Sequence, residues 1–122
     1  MILAGDFYTV VNTIAEAEKI EATLKINPDH EIFQGHFPGQ PVVPGVCMMQ
    51  IVKETLETAT SRSLRLHTGL DLKFLSVIDP TKNNTVHLET SYSVLASGDI
   101  NVTARLFLAE TTFFKFKGVF TS

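Results

Sequence analysis

Between Phe33 and Pro44 the chain reads Phe-Gln-Gly-His-Phe-Pro-Gly-Gln-Pro-Val-Val-Pro, with three prolines and two glycines around one histidine. Prolines fix the backbone path and glycines permit sharp bends, so this is a rigid, defined route. A surface connection has no need of such stiffness, whereas a side chain that must be held at a fixed angle does. His36 sits inside that route, and an imidazole with an ordinary pKa near ~6.5 suits proton transfer at neutral pH. A buried histidine bonded to a backbone carbonyl is the equal alternative at this point.

Gly45 follows directly. Pro44-Gly45-Val46 opens a stretch of good helix formers, and the first N–H groups of a helix have no partner within it. A glycine there lets a ligand approach the backbone, and a carbonyl oxygen gaining negative charge would be stabilised by those N–H groups. A tight turn that simply needs glycine is the plainer reading. His67 and His87 fall on polar strand faces, and His30 lies in the loop before the site. No two histidines have ligand spacing on one element, so no metal is expected. Cys47 falls in the apolar part of the helix, where an inert thiol is the default. There is neither a nucleophile elbow nor a phosphate-cradling glycine pattern.

The elements that must hold these residues are mostly strands. Ile20, Ala22, Leu24 and Ile26 alternate with Lys19, Glu21, Thr23 and Lys25, the period of two of a half-buried strand. Similar alternation runs through 64–74, 86–94 and 100–108, and residues 111–121 are rich in aromatic and β-branched types. Phe7 to Ile14 is a weaker strand. Ser97-Gly98-Asp99 reads as a hairpin turn, and Asp79-Pro80 through Asn84 as a longer connection. Only Gly45 to about Thr60 breaks the pattern. Its first half is apolar nearly all round, which predicts a buried helix. An α+β fold follows, an antiparallel sheet wrapped around one long helix, as a single domain over 1–122. An exposed sheet edge predicts a dimer or a multiple of dimers.

Composition sets the outer limits. The chain has 122 residues with ten basic, thirteen acidic and one cysteine. An intrachain disulfide is excluded, and no basic segment supports nucleic-acid binding. No signal peptide and no apolar run near the ~20 residues of a membrane span is seen, so a cytoplasmic, soluble protein is expected.

Gly35-His36-Phe37-Pro38-Gly39-Gln40-Pro41-Val42-Val43-Pro44-Gly45-Val46 closely resembles the signature of the 3-hydroxyacyl-acyl-carrier-protein dehydratases of fatty-acid synthesis, the FabZ and FabA type. The resemblance implies the hot-dog fold, dimers whose sheets join edge to edge, trimers of dimers in some members, and an apolar tunnel at the dimer interface. It implies that His36 is catalytic, that the Gly45 N–H polarises the thioester carbonyl and that the Val42 carbonyl orients the imidazole. With Phe37 and Val46 these make the substrate-binding set. The implied substrate is a 3-hydroxyacyl chain on the phosphopantetheine arm of an acyl carrier protein, and the product a trans-2-enoyl thioester, with no cofactor.

One position departs. The family carries an acid on the central helix fourteen residues after the histidine, and here that residue is Gln50. An amide can donate a hydrogen bond or hold a water but does not deliver a proton. A positioned acid is worth about 10²–10⁴ in rate. Three readings follow: His36 handles both proton transfers slowly, an acid-bearing homologous partner completes the site in a mixed dimer, or the chain binds acyl groups without turnover. Glu54 lies one turn, about 5 Å, further along the same face, a displacement that catalytic geometry tolerates poorly. The carrier protein, being acidic, would need basic residues, for which Arg62, Arg65, Lys73, Lys115 and Lys117 are available. A hot-dog thioesterase is a weaker option, because the His-Phe-Pro-Gly signature points away from it.

Overall fold

The computed structural model describes residues 2–35 and 41–122. His36, Phe37 and Gln40 lie outside them. Strands β1 (Tyr8–Glu16) and β2 (Lys19–Ile26) come first, then a four-residue helix α1 (Ile32–Gly35) and the long helix α2 (Gly45–Thr60). Strands β3 (Arg65–Phe74), β4 (Thr85–Val94), β5 (Ile100–Leu108) and β6 (Thr111–Thr121) complete the order. They form one six-stranded sheet in the order β1-β2-β4-β5-β6-β3, antiparallel throughout. This is the α+β hot-dog arrangement expected above, and α2 has the span read from the sequence.

Alternation explains how sheet and helix meet. Ile20, Ala22, Leu24 and Ile26 of β2 are buried, as are Val86 and Leu88 of β4 and Ile100, Val102, Ala104 and Leu106 of β5. Phe114, Phe116 and Phe120 continue that surface on β6. They close on Cys47, Met48, Ile51, Val52 and Leu56 of α2. Each such aliphatic or aromatic side chain removed from water contributes about 1.5–3 kcal/mol, so the sheet and helix stabilise each other.

The hairpin turns show where local chemistry was readable. Gly98 takes φ 92° at the β4–β5 turn, closed by the Leu95 N–H on the Asp99 carbonyl at 2.7 Å. The β1–β2 turn instead places Ala17 and Glu18 at φ 52° and 61°. Neither residue type favours that region, so β1 runs two residues beyond its expected end at Ile14. Asp79 organises the connection before β4, accepting from the Thr81 N–H at 2.9 Å. Its carboxyl is held below the ordinary value, chiefly by the Thr81 hydroxyl.

Two expectations need correction. The helix is not buried on every side: Val46 is 64% exposed, and Met49, Gln50 and Lys53 are only half-buried. The face carrying them turns away from the sheet. Strand β3 does not keep the strict alternation expected, because two bulges interrupt it, and among the described residues its apolar side chains are left largely uncovered. Leu66, Leu70, Leu72 and Phe74 are 44, 61, 41 and 55% exposed. Among the described residues β3 is an edge strand bonded on one side, to β6, with register shifts at Leu66/Thr68 and Gly69/Asp71.

Candidate functional site

The start of α2 is fixed from both sides. Pro44 is the N-cap, in extended conformation at φ −63° and ψ 147°. Its carbonyl accepts the Cys47 N–H at 3.0 Å and the Met48 N–H at 3.3 Å. Gly45 and Val46 are the first two helical residues, whose N–H groups have no acceptor within a helix. The Val43 N–H donates to the Ile78 carbonyl at 2.9 Å, which ties the end of the proline-rich loop to the segment after β3. Val42, whose carbonyl the resemblance assigns to the imidazole, is half-buried next to that anchor.

Gly45 is closely packed by its neighbour. A β-carbon there would lie 2.8 Å from both Cε1 and Cζ of Phe74, closer than carbon atoms pack. Phe74 is itself stacked on Phe114, with ring centroids 5.0 Å apart and planes at 22°. A cleft of about 420 Å³ opens here, its lining including Val43, Gly45, Met48, Phe74 and Val77. A ring therefore faces the helix start, and the cleft beside it is mainly apolar. Phe74 carried no signal of this role in the sequence, where it was one more apolar residue of an alternating strand.

Gln50 lies on the outward face of α2 and donates from Nε2 to Oε2 of Glu54 at 2.8 Å. Glu54 is buried, and its other bonds run away from the helix start. Oε2 also accepts the Leu3 N–H at 2.8 Å. Oε1 accepts the Ala4 N–H at 2.8 Å and the Tyr8 hydroxyl at 3.0 Å. Glu54 thus closes the segment before β1 onto α2. With two donors on each oxygen it is engaged as an acceptor. Burial pushes the Tyr8 hydroxyl well above the ordinary phenol value, and the Glu54 charge and hydrogen bond push it further.

The remaining candidates are structural. His30 Nε2 meets Asp6 Oδ2 at 3.0 Å while Nδ1 accepts the Ile32 N–H at 3.1 Å, and its ring packs edge-on against Phe7. His67 is exposed beside Thr68. His87 bonds Thr23 at 3.2 Å and contacts Phe107, so it is less exposed than its polar strand face suggested. Burial raises the Cys47 thiol. Among the described residues no group of three His, Cys, Asp or Glu side chains could hold a metal, and no helix is long and apolar enough to cross a membrane. Of the basic residues, Lys73, Lys115 and Arg105 occupy one lateral row across β3, β6 and β5, with Lys117 opposite Asp71. Arg62 lies elsewhere, bonded to the Gly98 carbonyl at 2.8 Å.

Comparison with known proteins adds a family. The chain is 37% identical over 89 residues to the 3-hydroxyacyl-[acyl-carrier-protein] dehydratase FabZ of Caulobacter vibrioides, covering 71% of this chain and 50% of that protein. It is 43% identical over 44 residues to the FabZ of Enterococcus faecalis, covering 36% of this chain and 31% of that protein. The chain spans about half the length of the curated relatives it matches. Among solved structures, the dehydratase heterocomplex ApeI:P from Xenorhabdus doucetiae superposes with a TM-score of 0.74 at 21% identity. That match covers 93% of this chain and 97% of that one, and it shows the shared fold. Residues 12–105, which include α2 with Gly45 and Gln50, match the ApeI-like family, described as ApeI dehydratase. The chain therefore belongs to the ApeI-like dehydratase family.

Proposed function

We propose that the chain, as one hot-dog domain, takes part in dehydrating 3-hydroxyacyl thioesters on an acyl carrier protein to trans-2-enoyl thioesters. His36 removes the proton from C2, with the imidazole oriented by the Val42 carbonyl. The Gly45 N–H receives the thioester carbonyl as negative charge builds on its oxygen. Val46 and Phe37 flank the acyl chain. The hydroxyl leaves C3 with one proton as water, so that C2–H and C3–O break and the C2=C3 bond forms. No cofactor enters. The observation that carries this reading is the helix start at Gly45, fixed by Pro44 and faced by Phe74, immediately after the histidine-containing loop.

Assembly is part of the proposal. The uncovered apolar face of β3 and the outward face of α2 with Val46, Met49 and Gln50 are the surfaces a second hot-dog chain would cover. A homodimer or a trimer of dimers satisfies this. A mixed dimer is favoured by one observation: Gln50 is held by Glu54 and this helix offers no free carboxylic acid at that place. An acid-bearing homologue would supply the missing proton donor, as a cytoplasmic pair serving fatty-acid or related polyene synthesis. The row of Lys73, Lys115 and Arg105 is the basic surface offered to the acidic carrier.

The test is an assay of the purified chain with 3-hydroxyacyl carrier thioesters, alone and mixed with an acid-bearing hot-dog homologue. Slow or absent dehydration alone and a gain of two or more orders of magnitude on mixing supports the mixed site, within the ~10²–10⁴ that a positioned acid supplies. Full-rate dehydration by the chain alone removes the need for a partner. Neither turnover nor thioester binding in any combination overturns the reading.

A further inference from the structure

The Glu54 carboxylate collects four donors: two backbone N–H groups, from Leu3 and Ala4, the Tyr8 hydroxyl, and Nε2 of Gln50. A carboxylate only accepts, so whatever side chain meets it from position 50 has to donate. Glu54 cannot swing aside to suit another residue there, because turning away would strip two backbone N–H groups, one of them buried at Leu3, of their acceptor. A carboxylic side chain at 50 in the same rotamer would bring an oxygen to where Nε2 now stands, 2.8 Å from Oε2.

We infer that Glu54 is a positioning residue: it commits position 50 to a hydrogen-bond donor and fixes how the Gln50 amide is turned. The bearing of this on dehydration rests on the proposed function, but the constraint itself does not. Gln50 is then no isolated loss of an acid. The neighbourhood of position 50 is built for an amide, with the amide NH₂ turned to Glu54 and the carbonyl turned elsewhere. A chain so built supplies the histidine loop and the carbonyl-binding helix start of a shared site and leaves the proton donor to its partner.

Among the described residues, the titratable side chain bonded to Glu54 from another element is Tyr8 on β1, and Lys53 and Glu57 flank it on α2. A carboxyl introduced at 50 would share a proton with Glu54, because two carboxylates in contact resist double ionisation. The folded-state pKa of the pair would be raised above its unfolded value. The stability of such a variant would be present at low pH and lost as pH rises through that raised value.

Thermal unfolding of the wild-type chain, Gln50→Glu, Glu54→Gln and Gln50→Glu/Glu54→Gln at pH 5 and pH 8 tests this without any need for turnover. The expected result is that Gln50→Glu stays close to wild type at pH 5 and falls roughly 5 °C or more below it at pH 8. The added Glu54→Gln change should abolish that difference between the two pH values. If Gln50→Glu is unfolded at both, the same change is read in the Glu54→Gln background: a double variant as stable at pH 8 as Glu54→Gln alone supports the inference, and one markedly less stable than it overturns it. Gln50→Glu tracking wild type at both pH values also overturns it, as does a double variant that keeps the pH-dependent deficit. A chain that fails every dehydration assay can still pass this test, so the two failures are distinguishable.

Discussion

The ring of Phe74, stacked on Phe114, lies so close over Gly45 that a β-carbon there would have to displace it. The first residue of the central helix is therefore packed from strand β3, and the helix start and the sheet edge form one unit.

Gly45→Ala should lower stability by about 1–3 kcal/mol, the usual cost of overpacking. Phe74→Leu, which removes the ring atoms in conflict, should recover most of that loss when combined with it. Urea denaturation of the two single variants and the double variant checks the coupling. Simple additivity would show that the ring yields freely.

Glu54→Leu should cost more. It leaves the buried Leu3 N–H unpaired and frees the segment before β1, a loss of roughly 2–4 kcal/mol. Tyr8→Phe removes a single donor and should cost only about 1 kcal/mol. Amide hydrogen exchange at Leu3 and Ala4 should quicken in the first variant and stay slow in the second.

The edge strand predicts assembly. At micromolar concentration, light scattering should give a mass of at least twice 13.5 kDa, for the chain alone or with its partner. Leu72→Lys on the uncovered face of β3 should shift the population toward the single chain, because a charge there opposes burial. A wild-type chain that is monomeric both alone and with an acid-bearing homologue would show that β3 stays open.

His36→Ala should abolish dehydration in whichever assembly is active while leaving the unfolding midpoint unchanged. Gln50→Glu should raise the rate of the chain alone by roughly 10–10⁴-fold. The gain should vanish when His36 is also removed, since the two groups act together.

Cys47 offers a pH test of packing. Burial raises its thiol above the ordinary value, so less thiolate is present at any pH near neutrality than in the unfolded chain. Alkylation at pH 8 should be slow in the native protein and quicken on denaturation. Equal rates in both states would contradict the buried placement.

Much of this architecture was legible because burial imposes a period. Ile20, Ala22, Leu24 and Ile26 announce a strand with one covered face, and the loss of alternation after Gly45 announces the helix that covers it. What stayed hidden has a common cause. The left-handed Ala17 and Glu18 are imposed by the pairing of β1 with β2 and not by residue type, so the end of β1 was misplaced. The closeness of Phe74 to Gly45 and of Leu3 to Glu54 joins residues far apart in sequence, which no local pattern encodes. Gln50 and Glu54, spaced four apart on one helix, did declare their proximity. Their spacing could not say that Glu54 was already taken by the segment before β1. The roles of His36 and Phe37 rest on the signature alone.

Strand β3 pairs with β6 and skips β4 and β5. During synthesis, at about 5–20 residues per second, β3 therefore leaves the ribosome well before the strand that holds it. For that interval Leu66, Leu72 and Phe74 lack the β6 residues they pair with. The edge becomes a defined surface only once Thr111–Thr121 has been made. A second chain that pairs along this edge would meet a formed strand only after β6 has been made.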